Sequence, residues 1–285
     1  MGGGLMANDS ILQQFFSRQS FHRLVQNRKD DVFSEVARRY VPSSKGKTYA
    51  EIFSTVYDYI SKSYRTEYYY KNKILNKMIL SHKASKNSVA LQELPIGTSK
   101  ADFVIINRKG RVYEIKTELD NLDRLKSQLD NYYKAFSIVN VVTYENNIEK
   151  ICEKVSDSVG IICLTHRGAF KEIRRAVETR DLLNSGVMFD ILRKNEYEEI
   201  LLKEYGELPL CGDFSYYRNC KALFSAININ TSQKYFVKAL KNRSRKNNDD
   251  FNIFPESIRL LLYFDREDKK KWRDIKRFLV EHYGG

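Results

Sequence analysis

Apolar residues recur at helical spacing through the first eighty positions and at strand spacing only after that. In ILQQFFSRQSFHRLVQ, Ile11, Phe15, Phe16, Phe21 and Leu24 fall on one side of a helix, so residues 10–41 are read as helices. VPSSKGK at 41–47 is a loop, 48–64 is helical again, and 64–82 is a further helix with Ile74, Leu75, Met78 and Ile79 on its apolar face. KASKN is a turn. From 88 the period falls to two: SVALQEL, ADFVIIN (101–107) and RVYEIKT (111–117) are strands, the last two joined by a tight turn. The segment 119–136 is an amphipathic helix with Leu122, Leu125, Leu129, Tyr133 and Phe136 in its stripe and Asp120 as N-cap. A buried strand (137–144), a helix (NNIEKICEKV) and a strand running into a turn (159–168) follow. After 180 strand signals fade into helices, broken by the basic polar stretch KNRSRKNNDD at 241–250. This order predicts an α/β fold, a mixed central sheet flanked by helices with helical additions at both ends. The boundaries are 1–63 (helical), 64–180 (sheet-bearing core) and 181–285 (helical, basic).

Charge sharpens this division. The 285 residues carry 49 Lys+Arg and 36 Asp+Glu, net +13. Residues 1–93 contribute +7, 94–215 contribute −2, and 216–285 contribute +8. A near-neutral middle flanked by basic ends suits a polyanion, or a solvated lysine-rich surface. Cys152, Cys163, Cys211 and Cys220 form no C-x-x-C pair, and His22, His82, His166 and His282 stand apart, so no disulfide framework and no zinc site is expected. No apolar run approaches the ~18 residues of a membrane span. The start, MGGGLMAND, lacks a secretory pattern, and a cytoplasmic protein is expected.

Candidate chemistry lies in the hairpin 101–117. A turn over Arg108-Lys109-Gly110, with Gly110 left-handed, pairs Asn107 with Arg111 and hence Asp102 with Lys116. Asp102, Glu114 and Lys116 then share one face, and Phe103, Ile105, Tyr113 and Ile115 the other. Adjacent carboxylates repel unless a cation lies between them. Mg²⁺ or Mn²⁺ is the natural occupant of an all-oxygen site, with Lys116 beside it to activate water or stabilise a pentavalent phosphate.

Asp102 followed by Glu114-Ile115-Lys116 resembles the PD-(D/E)XK, restriction-endonuclease-like nuclease superfamily, with Ala101 in place of the proline. Glu67 on the preceding helix matches the helix acid of RecB-like members, and Gln128-Leu-Asp-Asn-Tyr132 matches their Q-x-x-x-Y motif. The stretch from Gly97 to Val142 is similar to bacterial members of this superfamily; the resemblance covers about 64–165. It implies a restriction-endonuclease-like core. It also implies a metal-dependent nuclease in which Asp102, Glu114, the Ile115 carbonyl and Glu67 hold Mg²⁺ or Mn²⁺. Lys116 would assist water attack, and Gln128 and Tyr132 would support the site. Glu93 is a weaker rival to Glu67. Arg65, Lys71, Lys73 and Lys77 are candidates to track a phosphate backbone, and tyrosines 68–70 to stack on bases or pack in the core. DNA is the expected substrate ahead of RNA, with an inactive binding module as the alternative. A homodimer or protein partner stays open, and a role in phage defence or mobile-element biology is a superfamily expectation. Asp102→Ala or Lys116→Ala is expected to abolish cleavage without unfolding.

Overall fold

A computed structural model describes residues 10–63, 65–81, 88–243, 248–265 and 269–284. His82, the turn at 83–87, the first nine residues and part of the break at 241–250 lie outside them. The chain divides into two compact units, 1–86 with 247–285, and 87–246. The expected boundaries at 63/64 and 180/181 do not coincide with this division.

The first unit is helical. Residues 10–15 are followed by α1 (Arg18–Asn27), α2 (Asp31–Tyr40), α3 (Tyr49–Lys62) and α4 (Glu67–Met78). Each start is set by a side chain that accepts an otherwise orphaned N–H: Ser17 from Ser20, Asp30 from Phe33, Thr48 from Glu51 and Thr66 from Tyr69. At Thr48 the Glu51 carboxylate answers back to the Thr48 N–H, a complete capping box. The apolar faces meet in an aromatic core, where Phe15 stacks on Phe33 at 5.3 Å and Phe53 touches Phe15 at 5.0 Å. The helices Arg259–Tyr263 and Lys269–Val280 complete this unit, Phe278 packing 4.3 Å from Tyr49.

The second unit is a six-stranded mixed sheet in the order β1-β2-β3-β4-β5-β6. Its strands are β1 (Val89–Ile96), β2 (Ser99–Ile106), β3 (Gly110–Ile115), β4 (Ile138–Thr143), β5 (Gly160–Leu164) and β6 (Phe170–Arg174). The first three form an antiparallel meander, β3, β4 and β5 run parallel, and β6 closes antiparallel. Crossovers between the parallel strands carry α5 (Leu125–Tyr133) and α6 (Ile148–Lys154). Four more helices follow: α7 (Ser185–Ile191), α8 (Lys194–Tyr205), α9 (Asp213–Ala226) and α10 (Ile229–Lys241). Val104, Val112, Val139, Val141 and Ile161 of the sheet share one core with Leu129 and Phe136 of the α5 region, Phe189, Leu201, Phe224 and Phe236. The helices after 180 therefore belong to the sheet's own core, because their apolar faces have it as their burial partner. The opposite face, with Phe103, Ile105, Tyr113 and Ile115, is buried as well.

Two local expectations are corrected, and one strand is added. The β2–β3 turn is Asn107-Arg108-Lys109, with Ile106 paired to Gly110. Asn107 makes this turn by accepting from the Arg108 and Lys109 N–H groups at 2.6 and 3.2 Å. Gly110 is therefore a strand residue outside the left-handed region, and a Cβ there would stand 2.6 Å from the Phe136 ring. The long helix expected from 119 begins only at Leu125, because Asp120 accepts from Thr117 N–H and Oγ1 instead of capping a helix. Strand β6 gave no sequence signal; FKEIR is an exposed edge strand without alternation.

Candidate active site

The corrected register moves the pairing by two positions and so keeps the faces. With Phe103 opposite Tyr113 and Val104 opposite Val112, Asp102 falls opposite Glu114 instead of Lys116. Across the other edge of β2, Gln92 pairs Phe103 and Leu94 pairs Ala101, which brings Glu93 opposite Asp102. Three acidic positions thus stand in a row across β1, β2 and β3. One carboxylate oxygen of Glu93 lies within 4.8 Å of one from Asp102. Glu93 has φ of 52°, a left-handed conformation that is strained for a glutamate. It also lies 3.6 Å from the Lys100 ammonium.

Glu114 and Lys116 lie at the carboxyl end of β3, where parallel sheets commonly bind ligands. Glu114 is only 1% exposed and Lys116 7%. A charge so buried needs partners, and α5 supplies them. Lys116 Nζ donates to Glu114 Oε1 at 2.8 Å and to Gln128 Oε1 at 3.0 Å. The Tyr132 hydroxyl donates to Glu114 Oε2 at 2.7 Å and lies 2.8 Å from the Lys100 carbonyl oxygen. Gln128 and Tyr132, four residues apart on one helical face, therefore hold the two charged residues of E-x-K separately. Burial, and then the Glu114 charge, hold the Tyr132 phenol far above its ordinary range, so it stays a neutral donor. Its ring is fully buried, so it is a core tyrosine and a site residue at once.

Backbone bonds fix the rest. The Ile115 N–H donates to Asp102 Oδ2 at 2.7 Å, so the carboxylate is oriented by the strand it opposes. Lys116 N–H donates to the Val142 carbonyl and Thr143 Oγ1 donates to the Lys116 carbonyl, both at 2.9 Å, which docks the end of β3 on β4.

The residues expected on the preceding helix belong to the other unit. Glu67 opens α4, is exposed, and pairs with Lys71 at 2.5 Å. Arg65 and Lys71 are buried, Arg65 donating to the Ser61 carbonyl at 3.2 Å. Lys73 pairs with Glu256 at 2.9 Å, and Lys77 is exposed. The four cations thus form no continuous solvent-facing stripe. Tyr68 stacks on Phe16 at 4.4 Å and donates to the Ser257 carbonyl, while Tyr69 and Tyr70 are buried, which places these rings in packing.

The sequence reading set Glu93 behind Glu67. Its place opposite Asp102 comes from the β1–β2 pairing, and no local signal marks its left-handed backbone. An all-oxygen set of Glu93, Asp102 and a strand-end carbonyl fits a hard divalent cation. Glu114 is turned toward Lys116 and Tyr132. Among the described residues no helix is long and apolar enough to cross a membrane.

Comparison with known proteins relates the chain to a phage protein. Protein cII of Enterobacteria phage P4 is 28% identical over 156 residues, which cover 53% of this chain and 57% of that protein. The chain thus spans somewhat more than half the length of the curated relative it matches. No solved structure matches significantly. Residues 60–259, more than half of the chain and including the whole sheet, match the family described as Bacteriophage P4 protein cII, and the chain belongs to that family.

Proposed function

We propose that the protein is a metal-dependent nuclease acting on phosphodiester bonds, most readily those of DNA. The observation that carries this reading is the E-x-K pair clamped residue by residue from α5, Lys116 by Gln128 and Glu114 by Tyr132, beside the Glu93–Asp102 carboxylates. Asp102 and Glu93, with the Ile115 carbonyl, would hold Mg²⁺ or Mn²⁺. Such an ion supplies Lewis-acid stabilisation at phosphorus and lowers the pKa of bound water. Lys116, fixed by two acceptors, places a positive charge where negative charge develops in an in-line displacement. Glu114 holds Lys116 in position by accepting from its ammonium, and Tyr132 orients Glu114 by donating to it. The phage relative supports a setting in mobile-element biology.

The test is cleavage of supercoiled plasmid, linear duplex, single-stranded DNA and single-stranded RNA with Mg²⁺, Mn²⁺ or EDTA. Asp102→Asn, Glu93→Gln and Glu67→Gln are run beside the parent. Metal-dependent cleavage should fall at least about 100-fold in Asp102→Asn, since several kcal/mol of charge stabilisation is lost at ~1.4 kcal/mol per tenfold. Glu93→Gln tests the acid beside Asp102, and Glu67→Gln the helix acid that the superfamily resemblance implies. A second reading is a nucleic-acid-binding module with an inactive core; both Glu114 oxygens being taken by Lys116 and Tyr132 favours it. Binding without cleavage of any substrate would establish that reading and end the nuclease one.

A further inference from the structure

At the far end of the β2–β3 hairpin, five residues beyond Asp102 and so roughly 17 Å along the strand, a groove of about 400 Å³ opens between the turn and α10. Its cations are Arg108 and Lys109 of the turn, Arg180, and Lys234, Lys238 and Lys241 of α10. One acid, Glu178, lines it. Glu178 is consumed internally: Lys109 bonds it, and Arg180 donates to it at 2.8 Å. These bonds, Lys109 first, hold its carboxyl down at about 2, so it is ionised and occupied at any working pH. Arg108, Lys234, Lys238 and Lys241 form no ion pair with another described residue.

The sequence around α10 is equally one-sided. Residues 216–246 hold eight Lys or Arg and no Asp or Glu. An ordinary solvated helix face offsets its lysines with acids three or four positions away; here none is available. Lys234, Lys238 and Lys241 stand at i, i+4 and i+7, one face of the helix over roughly 10 Å. That length matches about three phosphates of one strand at ~3.4 Å each. The opposite face of α10, with Phe236 and Leu240, is fully buried against the sheet, so it has no apolar surface to offer a bilayer.

We infer that this groove binds the phosphodiester backbone of a nucleic acid strand, as a positioning site separate from the Glu93–Asp102 acids. The inference rests on nucleic acid being the ligand of this unit, but on neither metal nor cleavage. The test is fluorescence anisotropy of the full chain with labelled single-stranded and duplex oligonucleotides, in EDTA, across a salt series. The variant is K234Q/K238Q/K241Q, and circular dichroism and thermal melting check that it folds as the parent does. Lys234 and Lys238 are exposed and Lys241 is partly so, which makes a fold-neutral variant the expected result. Binding should weaken at least tenfold, and the slope of log affinity against log salt should fall by about 2–3, the loss of three phosphate contacts. Unchanged affinity and slope would overturn the inference, as would lysine-dependent binding to phosphatidylserine vesicles without binding to either oligonucleotide. Because no metal is present, a protein that binds through these lysines but never cleaves upholds the groove while the nuclease reading fails. Cleavage with lysine-independent binding gives the converse.

Discussion

Glu114 is a carboxylate inside the sheet's core, and its two oxygens are divided between an ammonium and a phenol. Removing one partner of a buried pair costs more than the pair contributes, because the remaining charge stays desolvated. Lys116→Ala is therefore expected to destabilise the protein by about 3–5 kcal/mol, whereas the sequence expectation is a loss of cleavage without unfolding. Tyr132→Phe removes one charge-assisted hydrogen bond and should cost about 1.5–3 kcal/mol. Urea titration of the full chain reads both. If the bond to Glu114 is the cause, the Tyr132→Phe penalty shrinks in a Glu114→Gln background. An equal penalty in both backgrounds would show that Tyr132 acts only through its packing. Loss of activity is for the same reason better probed at Asp102, which is partly exposed, than at Lys116.

Elements are positioned by residues whose local role differs from their apparent one. Gly110 reads as a turn glycine, but the turn is made by Asn107, and Gly110 is a strand position on which the Phe136 ring lies. A methyl group there must displace that ring. Gly110→Ala should cost about 1–3 kcal/mol by overpacking, seen as a lower thermal midpoint, and Phe136→Leu should recover part of it. A Gly110→Ala protein as stable as the parent would mean that the ring yields freely. Gly97, at the other end of β2 with φ of 58°, is the glycine that a left-handed turn does require, in the two-residue link between β1 and β2. Asp120 likewise reads as a helix cap and closes a turn on Thr117, so the connection from E-x-K to α5 is irregular while the Q-x-x-x-Y face stays helical.

In the whole molecule, the sheet unit is one continuous stretch and the helical unit is two separated ones. The stretch 87–246 contains its strands, its six helices and a shared core, so it should fold when produced alone. A single cooperative urea transition with near-ultraviolet circular dichroism would verify this, and a non-cooperative transition would refute it. A chain ending at Lys246 loses Ile275, Phe278 and Leu279, which are buried in the helical unit beside Phe21 and Tyr49. It should keep the sheet unit's transition and lose the other.

Periodicity alone was enough for the α/β class, for most strands and for the helices that flank them, because half-buried elements print their burial on the chain. The shared face of the hairpin marked Glu114 and Lys116, while Gln128 and Tyr132 were named by the superfamily resemblance, their i, i+4 spacing agreeing with one helical face. Strand β6 could not be read, because an exposed edge strand buries too little to leave a pattern. Which acids meet was decided by pairing across strands: one residue at the Asn107 turn moves Asp102 from Lys116 to Glu114, and β1 then brings Glu93 opposite it. The return of 247–285 to the N-terminal helices, and the docking of 181–241 on the sheet, depend on contacts between residues far apart in the chain. No window of the sequence contains both partners of such a contact, so those features exist only in the folded protein.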